Sequence, residues 1–346
     1  MNLDKLLRPN ILSLQPYSCA RDEFKGEASV YLDANENPYN SPYNRYPDPL
    51  QWEVKEKISL IKGVPAVNIL LGNGSDEPID LLYRAFCEPR IDNVVAIEPT
   101  YGMYKVCANI NDVEYRKVML NDRFEFSADL MLASADANTK LMWICSPNNP
   151  TGNSMPETEI EQLLINFDGI VVLDEAYIDF ASHTGFASRL NQYPNLVILQ
   201  TFSKAWGNAA IRLGMAFASE AIIGVLNKIK YPYNINLLTQ KHALKSMENT
   251  TQVKEWVEVL LKERSVLIEK LYTLDLVKHI FPSDANFVLI QVDDANAVYN
   301  YLVEQSIIVR NRNTVALCHG CIRITVGTPE ENQVLINELK KYGEIG

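Results

Sequence analysis

The stretch Ile170-Val171-Val172-Leu173-Asp174-Glu175-Ala176-Tyr177 decides how the rest of the chain is read. Four apolar residues, three of them β-branched, run without polar alternation and stop at a carboxylate. A strand that is apolar on both sides is buried on both faces, as in a parallel sheet covered by helices. A carboxylate at its end is costly unless something cationic meets it. Asp174 therefore implies a partner, either a buried basic side chain or a protonated ligand nitrogen.

The same kind of run recurs on both sides, at Val94–Ile97, Leu141–Cys145, Leu196–Leu199 and Met215–Ala218, with helical patterns between. The expected fold is α/β, with a large domain over 41–236 built on a mostly parallel central sheet covered by helices. After Pro232 the pattern changes. Residues 251–272 place Val253, Trp256, Leu260, Leu267 and Leu271 at helical spacing. Three strand-like segments follow, Phe287–Val292, Ile307–Arg310 and Cys321–Val326. Thr328-Pro329-Glu330-Glu331 then predicts a capped final helix with proline at its first position. This is expected to form a smaller α+β domain over 237–346, joined by residues 1–40 as an N-terminal arm.

Open α/β sheets bind ligands where their strands end, and five such ends carry unusual residues. Gly72-Asn73-Gly74-Ser75-Asp76-Glu77-Pro78 is a glycine turn feeding a helix, either a phosphate seat or a plain cap with a first-turn proline. Tyr101, in Pro99-Thr100-Tyr101-Gly102, either stacks on a planar ligand or packs in the core. Ser146-Pro147-Asn148-Asn149-Pro150-Thr151-Gly152 is constrained enough to hold Asn149 as a pre-set donor. Lys204, in Thr201-Phe202-Ser203-Lys204, is either a snorkelling lysine or a nucleophilic amine. With Asp174 these form one constellation: ring stacker, rigid amide, buried carboxylate, lysine and phosphate seat. That set describes pyridoxal phosphate chemistry, in which a lysine forms a Schiff base and a carboxylate pairs with the ring nitrogen.

The 346 residues are 47% hydrophobic and 22% charged, an ordinary globular composition. Lys and Arg number 32 against 43 Asp and Glu, a formal charge of −11. That balance argues against nucleic acid and acidic membranes as partners, and no apolar run approaches the ~20 residues of a spanning helix. Without a secretion signal the six cysteines read as reduced thiols, and the lone Cys318-x-x-Cys321 pair lacks the second pair a zinc ribbon needs. No metal site is expected, and the location expected is cytoplasmic.

Asn149-Pro150-Thr151-Gly152, Asp174-Glu175-Ala176-Tyr177 and Ser203-Lys204 with Arg212 resemble the signature of fold type I aminotransferases, in order and spacing. The resemblance extends to the histidinol-phosphate aminotransferase family. It is carried by Pro16-Tyr17 with Ala20-Arg21, Arg45-Tyr46-Pro47-Asp48-Pro49, Gly72 to Glu77, Pro99 to Tyr104, Asp174 to Phe180, Val309-Arg310-Asn311 and Arg323 to Thr328. It implies a fold type I transferase that binds pyridoxal 5'-phosphate and exchanges the amine of L-histidinol phosphate with 2-oxoglutarate, as a homodimer. It implies that Lys204 holds the cofactor and Asp174 pairs with its ring nitrogen. Tyr177 and Asn149 would bond its phenolic oxygen, and Tyr101 would stack on its face. Gly74, Ser75, Asp76, Ser203 and Arg212 would hold its phosphate, joined by Tyr46 from a neighbouring subunit. Tyr17, Arg310 and Arg323 would bind the substrate's anionic end. On the residues alone, Arg323 lies on the polar face of an alternating strand, where it can pair with carboxylate or phosphate. Arg310 reads equally as a ligand or as a solvated strand end. Asn208 and Ala210 depart from the family pattern between Lys204 and Arg212. The alternatives on this scaffold are a threonine-phosphate decarboxylase-like lyase and an aromatic aminotransferase.

Overall fold

A computed structural model describes residues 2–17 and 28–345; Cys19, Ala20 and Arg21 lie outside the described residues. The apolar runs form β1 (Ile69–Asn73), β2 (Asn93–Glu98), β3 (Glu114–Met119), β4 (Thr139–Cys145), β5 (Ile170–Asp174), β6 (Leu196–Thr201) and β7 (Leu213–Ala218). They join in the order β1-β7-β6-β5-β4-β2-β3. β7 runs antiparallel to both its neighbours, and the remaining pairs are parallel. Burial on both faces is visible in β5 itself. Val171 and Leu173 enter one apolar cluster, while Ile170 and Val172 enter another across the sheet. Helices α1 (Trp52–Lys62), α2 (Asp76–Phe86), α3 (Met103–Ile110), α4 (Ala128–Ala133), α5 (Glu157–Asn166) and α6 (Glu220–Ile229) bury their apolar faces in those two clusters. Because β1, β2, β4, β5 and β6 all end at the same edge, their loops meet there.

The C-terminal third contains α7 (Leu237–Met247), α8 (Thr250–Tyr272), β8 (Val277–Ile280), β9 (Phe287–Val292), α9 (Ala295–Glu304), β10 (Arg310–Asn311), β11 (Cys321–Thr325) and α10 (Pro329–Ile345). Its strands form an antiparallel sheet in the order β10-β11-β9-β8. Ile322 and Ile324 enter its own apolar cluster, while Cys321, Phe287 and Leu289 on the other face join the core of the large sheet. Thr328 N donates to Glu331 Oε2 at 2.8 Å, and Glu331 N donates to Thr328 Oγ1 at 3.2 Å. This is the reciprocal cap expected from the sequence, a feature of about 1 kcal/mol.

Three expectations change. Residues 307–309 are not strand, since Ile307 N bonds back to Leu302 O at 2.8 Å and Ile308 is solvent-exposed. The end of α9 claims the segment before a sheet can. The arm was expected with the small domain, but residues 3–12 lie on the large one. Leu3, Leu6 and Leu7 pack on its core, Arg8 pairs with Glu88 at 3.2 Å, and Lys228 Nζ donates to Ile11 O at 2.7 Å. Helix α7, expected in the small domain, buries Ala243 and Met247 with Val54 and Ile58 of α1. No described helix is long and apolar enough to cross a membrane.

Candidate active site

The five strand ends open on one cleft of about 830 Å³, which also takes in residues of the β10–β11 hairpin. At the end of β1, Gly74 has φ +67°, and a side chain there would run into Arg212 Nη2. Gly74 N donates to Arg212 O at 2.9 Å, and Arg212 Nη2 pairs with Asp76 Oδ2 at 3.2 Å. Arg212 itself has a left-handed backbone at φ +53°, which costs a non-glycine residue about 1 kcal/mol. The strain is borne where glycine gives the guanidinium room to lie across the turn. Ser75 makes no side-chain cap bond, so the plain-cap reading of this turn falls away. What remains is the first turn of α2 with its free amides, a serine and an arginine, the parts of a phosphate seat. Ser203, whose N–H is held by Thr201 Oγ1 at 3.1 Å, lines the same cleft. Asn208 is accommodated by two bonds to α7, from its Nδ2 to Ser246 Oγ and between its Oδ1 and His242 Nε2, both at 3.1 Å.

Asp174 ends β5 almost wholly buried. Tyr104 Oη donates to its Oδ2 at 2.6 Å and Ala176 N to its Oδ1 at 3.0 Å. Burial outweighs these bonds and pushes the carboxyl up to about 6. Tyr104, on α3, belongs to a stretch that carries the resemblance but has no role assigned from sequence, because an aromatic on an apolar helix face reads as core. Lys204 faces the cleft with its Nζ 5.5 Å from the Tyr177 ring centroid. No hydrogen bond or ion pair holds that amine among the described residues. Its pKa is lowered, by desolvation first and then by Arg323, against the opposing pull of Asp174. Both effects favour the neutral, nucleophilic amine.

The loop after β4 is fixed by Asn148, which is fully buried. Its Nδ2 donates to Pro99 O at 2.9 Å and Thr151 Oγ1 at 2.8 Å, and its Oδ1 accepts from Thr100 Oγ1 at 2.9 Å. That clamp leaves Asn149 turned to the cleft, with Nδ2 3.5 Å from Tyr177 Oη and Oδ1 accepting from Arg323 Nη1. Tyr101 also lines the cleft and donates its hydroxyl to Asp76 Oδ1 at 3.0 Å. Glu175 points the other way, accepting from Phe186 N at 2.7 Å and Gln200 Nε2 at 2.9 Å. Burial pushes it up to about 7.

Across the cleft, Arg310 stands directly opposite Arg323 in the β10–β11 register. Arg323 lies over the Phe287 ring at 5.0 Å, with its pKa lowered chiefly by burial. Arg312, which the sequence reading left out, lines the same wall. Its signal was the two-residue spacing from Arg310, which puts both on one face of an extended chain. Two expected residues stand apart. Tyr17 is 72% exposed and does not line the cleft. Tyr46 lines a separate cavity of about 570 Å³ and stacks on Tyr233 at 4.4 Å. Cys318 and Cys321 are buried free thiols.

Residues 25–339 match the family model "Aminotransferase class I and II". The chain is 59% identical over 341 residues to a histidinol-phosphate aminotransferase of Bacteroides thetaiotaomicron, covering 98% of this chain and 99% of that protein. In fold it is similar to the histidinol-phosphate aminotransferase of Clostridium acetobutylicum, with TM-score 0.81 and 22% identity over 88% of this chain and 92% of that one. It is similar also to the L-threonine-O-3-phosphate decarboxylase of Porphyromonas gingivalis, with TM-score 0.74 and 22% identity over 87% and 91%. The fold alone therefore does not separate transferase from lyase, and the sequence match does. The chain belongs to the class I and II aminotransferases and, within them, to the histidinol-phosphate aminotransferase family.

Proposed function

We propose that this enzyme transfers the amine of L-histidinol phosphate to 2-oxoglutarate, giving imidazole-acetol phosphate and L-glutamate, with pyridoxal 5'-phosphate as cofactor. The observation that carries the reading is a single cleft in which Lys204, Asp174 and the Gly74–Arg212 turn face a wall of arginines. The residues fit the cofactor: a turn that only glycine can form beside Arg212, an amine with no hydrogen bond or ion pair among the described residues, and a buried carboxylate with no cation paired to it among them. When bound there, the cofactor supplies an electron-withdrawing ring that eases removal of the substrate's α-proton.

Gly74, Ser75, Asp76, Ser203 and Arg212 hold its phosphate. Asp174 would pair with the ring nitrogen, whose positive charge would oppose the upward shift that burial imposes on the carboxyl. Tyr177 and Asn149 orient the ring through its phenolic oxygen, with Tyr101 against its face. Lys204 Nζ, facing the cleft with its pKa lowered, would be the amine that holds the group. The same Nζ would serve as the base that accepts the substrate's α-proton. Arg310 and Arg323, with Tyr17 closing over them, bind the substrate phosphate in one half-reaction and the distal carboxylate of glutamate in the other.

The working unit is a cytoplasmic homodimer of two-domain subunits, with the arm and α7 carried by the large domain. The exposure of Tyr39, Tyr43 and Tyr46, and the fact that Tyr46's cavity shares no lining residue with its own cleft, support its reaching a partner's phosphate seat. The test is glutamate production from 2-oxoglutarate with a panel of amine donors. Histidinol phosphate should be the preferred donor. Carbon dioxide release without glutamate would instead identify the decarboxylase.

A further inference from the structure

The wall opposite the sheet edge holds three guanidiniums with no carboxylate to meet them among the described residues. Arg310 and Arg323 are cross-strand neighbours, an arrangement that is repulsive when both are charged. Arg312 N donates to Cys321 O at 2.9 Å, which continues the ladder and puts the Arg312 side chain on the same face. The carboxylates that line the cleft are all engaged elsewhere. Glu98 pairs with Lys117 at 3.3 Å, Asp76 with Arg212 at 3.2 Å, and Asp174 accepts from Tyr104 at 2.6 Å. Arg312 has no hydrogen bond or ion pair from its guanidinium among the described residues, and its Nε is buried without a partner. Burial, then Arg323, then Arg310 lower its pKa to about 10.

A cluster of this kind is relieved by an anion, and more by two charges than by one. A phosphate monoester carries about −1.5 to −2 at neutral pH, whereas the carboxylate that occupies the same end in the glutamate half-reaction carries −1. Two arginines already match one carboxylate. We infer that Arg312 is a specificity-determining residue that meets the second charge of a phosphate monoester, setting the enzyme's preference for the phosphorylated donor over a dicarboxylate at the same site. The inference rests on the function proposed above for that cleft.

The test compares the wild-type holoenzyme with Arg312→Gln and Arg312→Lys. The ratio of kcat/KM for histidinol phosphate to that for glutamate should fall by about 30-fold in Arg312→Gln, mostly through KM. Arg312→Lys should recover part of that loss. Inhibition by inorganic phosphate should weaken by a similar factor while inhibition by acetate barely changes. The visible spectrum of the bound cofactor reports that the site is still assembled. Equal losses for both substrates, or an unchanged ratio, would overturn the assignment. If the wild type fails to use histidinol phosphate, the substrate reading fails, and the phosphate-against-acetate comparison still decides the role of Arg312.

Discussion

At the sheet edge the permanent charges already hold partners, with Asp174 on Tyr104 and Ala176 and Arg212 on Asp76, while the Lys204 amine, its pKa lowered by desolvation, stands apart from them. Across the cleft, Arg310, Arg312 and Arg323 meet one another with no carboxylate among the described residues. The first arrangement suits one permanent ligand, because its dipoles need not reorganise when the ligand arrives. The second suits two ligands in turn, because the cations are left unsatisfied and can rearrange around either anion. An enzyme that shuttles between a phosphate and a carboxylate at one position needs both kinds of site.

The largest effect should come from the floor. Lys204→Ala should lower glutamate formation by about 1,000-fold or more and change the cofactor's visible absorbance. An unchanged spectrum would remove Lys204 from its role. On the wall, Arg323→Ala also leaves Asn149 Oδ1 without its donor. It should raise KM for both histidinol phosphate and 2-oxoglutarate by about 100-fold. A rise for only one of them would mean that the two anions bind at different places, and the comparison would break.

Tyr104→Phe sharpens the account of the floor. The hydroxyl stabilises the charged form of Asp174, so its loss should raise that carboxyl further above about 6. The cofactor should then be retained about tenfold less well at pH 6, with the difference shrinking toward pH 8. Equilibrium dialysis at the two pH values measures this. The smallest effect is on stability. Glu175 is held at about 7 in the fold against an ordinary value near 4.5, so the folded state binds the extra proton. Its contribution therefore falls as pH climbs from about 4.5 to 7 and stays low above that. Glu175→Gln should remove this slope and leave the protein more stable by on the order of 1 kcal/mol at pH 8, read from urea unfolding.

How much of this could be read from the sequence depended on whether the signal was local. Runs such as Ile170–Leu173 announce strands because burial on both faces leaves no room for polar residues. Phe287–Val292 was legible end to end for the same reason. Arg323 could be placed on its face by alternation alone. Tyr104 could not be matched to Asp174, 70 residues away, because nothing in a helical apolar stripe reveals a hydroxyl's partner. Asn148 was overshadowed by its neighbour Asn149, since two of its three side-chain bonds run to the Pro99–Thr100 loop, nearly 50 residues away in the chain. The arm was misplaced because Leu3, Leu6 and Leu7 fit any open apolar groove, and only the assembled fold shows which one is open.

The β10–β11 hairpin has a consequence for how this enzyme can diversify. All three wall arginines come from residues 310–323, one short stretch that supplies nothing to the phosphate seat or to Asp174. β10 is held to β11 by only two paired residues, and Gly320 N, bonded to Asn313 Oδ1 at 2.8 Å, helps to close the turn. Inserting or deleting a single residue between 313 and 320 would shift the register and turn Arg310 and Arg312 to the opposite face. The hairpin is thus a replaceable cassette. Changes in its length could switch the class of anion accepted while the chemistry at Lys204 stays as it is.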